Sequence, residues 1–280
     1  LLDILTAREV GGFKLPKVFI IGASNTVVAY DPALEDRLLH IPALDPRKVR
    51  TEHGRIAAAY ALVRDESAFG YNRDDDLKAS EVLADGYGQC NTKSTLMMAL
   101  LRALGIPCRF HGFTIDKQLQ RGAITGLAYW LAPRNIIHSW VEVWTGERWA
   151  RLEGFILDKP YLGALQLRFA GHRGAFCGYG AATPDLQCPP VDWNGGDTFI
   201  QKDGINQDFG VFDSPDEFYA RHGVNVKGLK RWLFQNVIRQ RMNGNVARIR
   251  QAAPAPAQST GPGSALVVEQ DQSNARHAIR

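Results

Sequence analysis

The sequence predicts an α+β domain, and two observations carry that prediction. Between residues 47 and 104 apolar residues recur at helical spacing, whereas from Cys108 onward they alternate with a period of two. Helices that precede a run of paired strands pack on an antiparallel sheet. The stretch "DGYGQCNTKSTLMMALLRALGIP" (85–107) marks the change. It joins a glycine-rich turn to the longest apolar helical pattern and then stops it.

"KVFIIGASNTVVAY" (17–30) reads as one or two strands, β-branched around a Gly-Ala-Ser-Asn turn, within an N-terminal extension over residues 1–46. Residues 47–67 read as a helix with Ile56, Tyr60 and Val63 on one side. A polar, acidic loop (72–76) and a short helix (77–84) come next. In the following helix Leu96, Met97, Leu100, Leu101 and Leu104 form one stripe, which Gly105 and Pro107 terminate. "CRFHGFTI" (108–115) alternates as a strand. After a long connection (116–135), "IIHSWVEVW" (136–144), Thr-Gly and "ERWARLEGFILD" (147–158) read as a hairpin. Residues 159–215 are rich in loops and complete a main domain over 47–215. A basic helix packed on the core is expected within 216–250, and 251–280, with "QAAPAPAQSTGPGSA", reads as a disordered tail.

With 280 residues and 45% hydrophobic content, the chain is long enough for one substantial core or two small ones. The balance of 33 Lys+Arg against 29 Asp+Glu leaves +4, which argues against nucleic acid as a partner. Four cysteines make no disulfide scaffold at this length. The histidines are scattered with no CxxC or HExxH spacing, so no metal and no cofactor is expected. The longest apolar stretch, Leu96–Leu104, is interrupted by Arg102 and far too short to span a membrane. With no membrane segment and no secretory pattern, a cytoplasmic location is expected.

Chemistry centres on Cys90, at the head of the long helix, where about four unpaired backbone N–H groups gather. The helix dipole alone contributes on the order of 0.3–1 kcal/mol to a thiolate. A reactive thiol therefore still needs a base to draw its pKa down toward roughly 3.5–7.5. Gly86 and Gly88 allow a sharp turn and a close approach to the sulfur. His138 is the candidate base. If Thr145–Gly146 is a two-residue loop, Trp144 pairs with Glu147 and His138 stands directly opposite Glu153; a three-residue loop moves Glu153 one position off. Asp158, the rival acid, falls beyond the strand. Cys108 reads as core.

"GYGQCNTKSTLMMALLRALGIPCRF", "HSWVEVW" and "RWARLEG", in that order over roughly residues 50–158, resemble the transglutaminase-like superfamily of papain-type folds. The resemblance implies a Cys–His–acid triad, with the cysteine heading a helix packed on an antiparallel sheet that carries the histidine and the acid. Cys90 matches the nucleophile, His138 the base and Glu153 the acid, where the family most often has aspartate. Members include protein cross-linkers, peptide and amide hydrolases, acyl transferases of small-molecule pathways, and proteins without catalysis.

The expected activity is cysteine-dependent acyl transfer through a thioester on Cys90, with a peptide, protein or small-molecule amide or acyl substrate. Tyr71 and Gln89 are candidates for a second oxyanion donor. Trp140 shares a face with His138 and either walls the site or packs in the core. "NRDDD" (72–76) lacks the spacing of a calcium loop and reads as solvated. Residues 218–268 contain no Asp or Glu, which reads as a solvated helix face and tail. Cys177 and Cys188 read as two separate thiols. The competing functional classes are a non-catalytic module binding through the 159–215 loops and a protein docking its basic tail on an acidic partner.

Overall fold

Thr51 caps helix α1 (Glu52–Ala61), because its hydroxyl accepts the Gly54 N–H. The computed structural model describes residues 9–10, 13–14, 49 and 51–252. The strands expected at 17–30, most of the N-terminal extension and the tail beyond 252 lie outside the described residues. Helix α1 buries Ile56, Ala59 and Tyr60 and then widens into a π-turn over Leu62–Glu66, so the helix expected over 47–67 is two segments. Helix α2 (Ala79–Asp85) ends at Gly86, whose φ of 69° suits a residue without a side chain.

Helix α3 (Cys90–Ala103) starts where the N–H of Gln89 donates to the Thr92 hydroxyl. Gly88 is required just before it, since a Cβ there would lie 2.8 Å from Thr92 Oγ1. Leu96, Met97, Leu100 and Leu101 are fully buried, and Gly105 closes the helix with a φ of 71°. The apolar stripe and its stop signals therefore sit where their spacing placed them.

Two small ladders stand outside the central sheet: β1 (Glu9–Val10) with β2 (Phe13–Lys14), antiparallel, and β3 (Ala68–Phe69) with β4 (Tyr87–Gly88), parallel. The central sheet uses β5 (Cys108–Asp116), β6 (Asn135–Trp144) and β7 (Trp149–Leu152). A hairpin of β8 (Phe176–Gly178) and β9 (Ala181–Thr183) precedes β10 (Ile205–Phe212), which joins the central sheet in the order β10–β5–β6–β7, all antiparallel. Phe110, Val141, Val143, Ala150 and Leu152 belong to the main core with the α3 stripe. Phe113, Ile115 and Trp140 form a second cluster with Leu119 and Ala182. The molecule is the α+β fold that the period change predicts.

One expectation is corrected. Trp144 pairs with Trp149 and Val141 with Leu152, so the hairpin loop is Thr145–Arg148 and not Thr145–Gly146. The Thr145 hydroxyl donates to the Arg148 carbonyl, and Gly146 takes a φ of 91°. Carried past Leu152, where β7 ends, this registry would set residue 155, not Glu153, opposite His138.

Between and after the strands lie α4 (Gly126–Leu131), α5 (Lys159–Arg168), α6 (Pro215–His222), α7 (Gly228–Leu233), a π-turn at Phe234–Ile238 and α8 (Arg239–Gln251). The basic C-terminal helix is thus three consecutive pieces. Phe218, Met242, Val246 and Ile249 from this region enter the main core. Much of its charge is tied down, Arg231 on Asp74 and Arg250 on Asp158. Asp158 caps α5 by accepting the Tyr161 N–H and also accepts the Phe69 N–H. Burial pushes its carboxyl up, but Arg250 and these donors outweigh it and hold it below the usual range. No helix among the described residues is long and apolar enough to cross a membrane.

The seat of α6 on the sheet is testable at Gly112. A Cβ there would lie 2.2 Å from Cε2 of the fully buried Phe218. Gly112→Ala is expected to destabilise the protein by about 1–3 kcal/mol through overpacking. Urea denaturation checks this, and a midpoint equal to that of the unaltered protein would show that Phe218 moves freely.

Candidate active site

Strand β7 stops at Leu152, and the site is built in the space it leaves. Leu152 bridges to Thr198, the Glu153 N–H donates to the Thr198 carbonyl at 3.1 Å, and the Gly154 N–H reaches Thr198 Oγ1 at 3.2 Å. Gly154 permits this turn, because a Cβ would stand 2.5 Å from Tyr60 Oη and 2.8 Å from Val191 Cα. The chain swings away from β6, so the β6 edge at Ile137 and Ser139 has no strand beside it.

Side chains fill that edge. The Ile137 N–H donates to Asn225 Oδ1 at 2.7 Å, and the Ile137 carbonyl accepts from Asn91 Nδ2 at 3.0 Å and Asn225 Nδ2 at 3.3 Å. The Ser139 hydroxyl donates to Asn91 Oδ1, and the Ser139 backbone N–H donates to the Cys90 sulfur. A break in the ladder thus becomes the socket for the first turn of α3.

His138 and Glu153 are both completely buried, with Nε2 and Oε1 3.0 Å apart. The other carboxylate oxygen accepts the N–H groups of Ile200 and Gln201, each at 2.9 Å. A carboxylate anchored this way accepts Nε2–H, which fixes the tautomer and leaves the lone pair on Nδ1. That nitrogen is buried and has no hydrogen-bond partner. Glu153 reaches His138 although the two are not directly opposed. The registry is offset from the expected one by two residues, which keeps both on the same face, as diagonal neighbours within reach of a long side chain.

His111 on β5 makes the contrast plain. Its Nδ1 meets Glu142 at 2.9 Å and its Nε2 meets Asp208 at 2.8 Å. Burial lowers its pKa but the two carboxylates outweigh that and raise it. With both nitrogens occupied, His111 has none to offer a nucleophile; His138 has one.

The state of the thiol differs from expectation. Cys90 is only 5% exposed. Burial is the largest influence on it and pushes the thiol up; the nearby Asp75 and Glu153 carboxylates add to this, while the N–H groups of Asn91 and Ser139 oppose it too weakly. The helix start does not depress this pKa, because the sulfur is removed from water.

The acidic loop at 72–76 is corrected as well. Asn72 and Asp75 are buried rather than solvated. Asp75 accepts from Asn91 Nδ2 (3.0 Å), from Gln89 Nε2 (3.4 Å), and from both the backbone and side-chain nitrogens of Asn225 (3.0 and 2.9 Å). Burial raises its pKa and those four donors pull it back only in part. Asp75 and Asn91 lie in stretches the sequence singles out, but nothing local signals that they pair, and Asn225 lies in no motif. Lys93, one turn after Cys90, is fully buried, and its Nζ donates to the carbonyls of Phe155 and Ile156, each at 3.0 Å. It ties the cysteine helix to the turn that carries Glu153.

A cavity of about 290 Å³ opens beside Cys90. Tyr71 and Gln89 line it, and both are already engaged: the Tyr71 hydroxyl donates to Gln120 Oε1 and one N–H of the Gln89 amide to Asp75. Trp140 lies elsewhere, packed against Phe113, His111 and Phe199. Among the described residues no cluster of three or more His, Cys, Asp or Glu is placed to hold a metal. Cys177 and Cys188 are exposed and unpaired, and Cys108 is partly buried.

The arrangement is a helix-borne thiol that meets the N–H of Ser139, the residue after a strand-borne imidazole whose Nε2 is held by a carboxylate. Residues 45–154 match the family model of the transglutaminase-like superfamily, so this segment carries a transglutaminase-like domain. Over 138 residues the chain is 30% identical to the uncharacterized protein YebA of Bacillus subtilis (strain 168). That match takes in 42% of this chain and 19% of YebA. A crystal structure from Cytophaga hutchinsonii, described as a candidate cysteine protease, aligns over 68% of this chain and 50% of its own, with a TM-score of 0.36 and 14% identity.

Lys93 yields a signed prediction. Burial brings its ammonium down to about 7. Between pH 7 and the unfolded value of about 10.4 the unfolded chain holds a proton that the folded chain has lost, so stability rises with pH across that window. Below pH 7 both forms hold it and the cost of burying the charge is complete. From pH 7 to 9 the unaltered protein should gain about 2–3 kcal/mol relative to Lys93→Met. Above pH 9 the raised Cys90 and tyrosine groups act in the opposite direction. Chemical denaturation at stepped pH reads this, and parallel curves for the two proteins would contradict it.

Proposed function

We propose that the chain is a cysteine-dependent acyl-transfer enzyme with Cys90 as nucleophile, His138 as base and Glu153 as the group that orients the base. The observation that carries this reading is His138 Nδ1, a buried nitrogen without a partner on an imidazole whose other nitrogen is locked, next to the Ser139 N–H that holds the sulfur. A nucleophile, a base and an orienter in that order are what thioester chemistry needs.

At rest the sulfur keeps its proton, because burial pushes the thiol up. A substrate carbonyl entering beside Cys90 is attacked by sulfur as the thiol proton passes to Nδ1. The imidazolium so formed is stabilised by Glu153, whose carboxylate already accepts from Nε2. Collapse of the tetrahedral intermediate returns the proton to the leaving group and leaves a thioester on Cys90, which water or an amine then resolves. The Asn91 and Ser139 N–H groups, directed at the sulfur in the resting state, are nearby donors for the developing negative charge.

Two variants test the assignment. Cys90→Ala is expected to abolish acyl turnover and to remove the acyl adduct seen by intact mass after incubation with an activated ester. Cys177→Ala and Cys188→Ala should keep both. In Glu153→Gln, a carboxamide whose oxygen keeps the Ile200 and Gln201 N–H groups turns its NH₂ toward His138. That reverses the tautomer and places hydrogen on Nδ1, where it blocks acceptance of the thiol proton. Activity should fall by about 10⁴-fold with the fold intact by circular dichroism, the size of the loss seen for a reversed tautomer in a serine-protease triad. Turnover unchanged by Cys90→Ala would end the proposal.

A further inference from the structure

We infer that the acyl group this enzyme accepts is apolar, an aliphatic or aryl acyl chain seated in the cavity beside Cys90; this rests on the nucleophile assignment above. Cys90 sits on the wall of that cavity, so whatever fills it is positioned at the sulfur. Much of the lining is aliphatic and comes from separate parts of the chain: Ala128 and Leu131 of α4, Ile137 of β6, and Leu233, Ile238 and Met242 of the C-terminal helices.

The polar groups on the wall point to the same class, because nearly all are committed to one another. Asp75 is saturated by amide donors. Both ends of the Asn91 and Asn225 amides are engaged. Tyr71 is bonded to Gln120, Arg73 to Glu81 and Asp74 to Arg231. Among the described residues the side-chain donors left with N–H groups to spare are the Gln120 NH₂, whose oxygen is held by Tyr71, one N–H of Gln89, and the cations of Arg73 and the solvent-exposed Lys230. A polar acyl group would lose its hydration here and gain few partners, at a net cost. An apolar one gains by burial, and an amide donor suits its carbonyl oxygen.

The balance of the step is that of the thioester route. The Cys90 S–C bond forms, the bond from the acyl carbon to its leaving group breaks, and the thiol proton leaves with that group by way of His138.

The test is the rate at which the full-length protein is acylated by p-nitrophenyl acetate, butyrate, hexanoate and octanoate, with release of p-nitrophenol followed against a Cys90→Ala background and the adduct located by peptide mass. The expected result is a kcat/KM that rises about fourfold for each added methylene until the cavity is full. Ala128→Phe, which fills the cavity from α4, should depress octanoate strongly and acetate little; Ala132→Phe does the same from just past the end of α4 should the first variant fail to fold. If Cys90 is acylated but acetate reacts as fast as octanoate, or Ala128→Phe lowers both equally, the apolar class is wrong and the nucleophile stands. If no ester of any length acylates Cys90, the nucleophile assignment fails and this inference with it.

Discussion

The departure of β7 from β6 after Leu152 is the constraint on which the site depends. A strand edge exposes N–H and C=O groups that must find partners. Had β7 continued, it would have occupied the groups of Ile137 and Ser139, and no space would remain for the start of α3. Because it turns off toward Thr198, those groups bind Asn91, Asn225, Ser94 and the Cys90 sulfur instead. The same turn brings Glu153 round to His138 from a diagonal position. One local event, made possible by the missing side chain of Gly154, therefore both opens the socket for the nucleophile and delivers the carboxylate.

Burial governs the electrostatics of what sits in that socket. Cys90, His138, Glu153, Asp75 and Lys93 are all at least nine-tenths buried. In such a place an isolated charge is expensive, and groups are held neutral or matched by fixed dipoles. Asp75 has four amide donors and no cation; Lys93 has two carbonyls and no carboxylate within bonding distance. These two buried groups act as braces: Asp75 joins the 72–76 loop to Asn225, and Lys93 joins the nucleophile helix to the acid turn. Burial keeps the Cys90 thiol protonated, and a thiol in that state still suits the proposed reaction when its proton moves during attack, since no ion pair then has to persist at rest.

Legibility in the sequence followed the range of the interactions. The α3 helix was readable because its apolar stripe, its glycine turn and its stop signals are local. Strands β5 and β6 were readable because each is a continuous run rich in β-branched and aromatic residues. The pairing of His138 with Glu153 was reached through a wrong loop length, and survived because the true registry differs by an even number of residues, which preserves the face. Strand β10 was not readable: two irregularities in its pairing with β5 break the alternation, so "INQDFGVF" looks like loop. Asp75 was misread for a related reason. Three aspartates in a row signal a solvated loop, and what buries the middle one here is Asn225, 150 residues further along.

That distance bears on what counts as the functional unit. The family match ends at residue 154, but the site does not. Ile200 and Gln201 hold the carboxylate that orients the base, Asn225 fills the β6 edge beside the nucleophile, and Leu233, Ile238 and Met242 wall the cavity. The transglutaminase-like segment carries Cys90, His138 and Glu153 on a helix, a strand and a turn, while the chain that follows it sets their surroundings. A change after residue 200 therefore alters what stands beside Cys90 without touching the sulfur, the imidazole or the carboxylate.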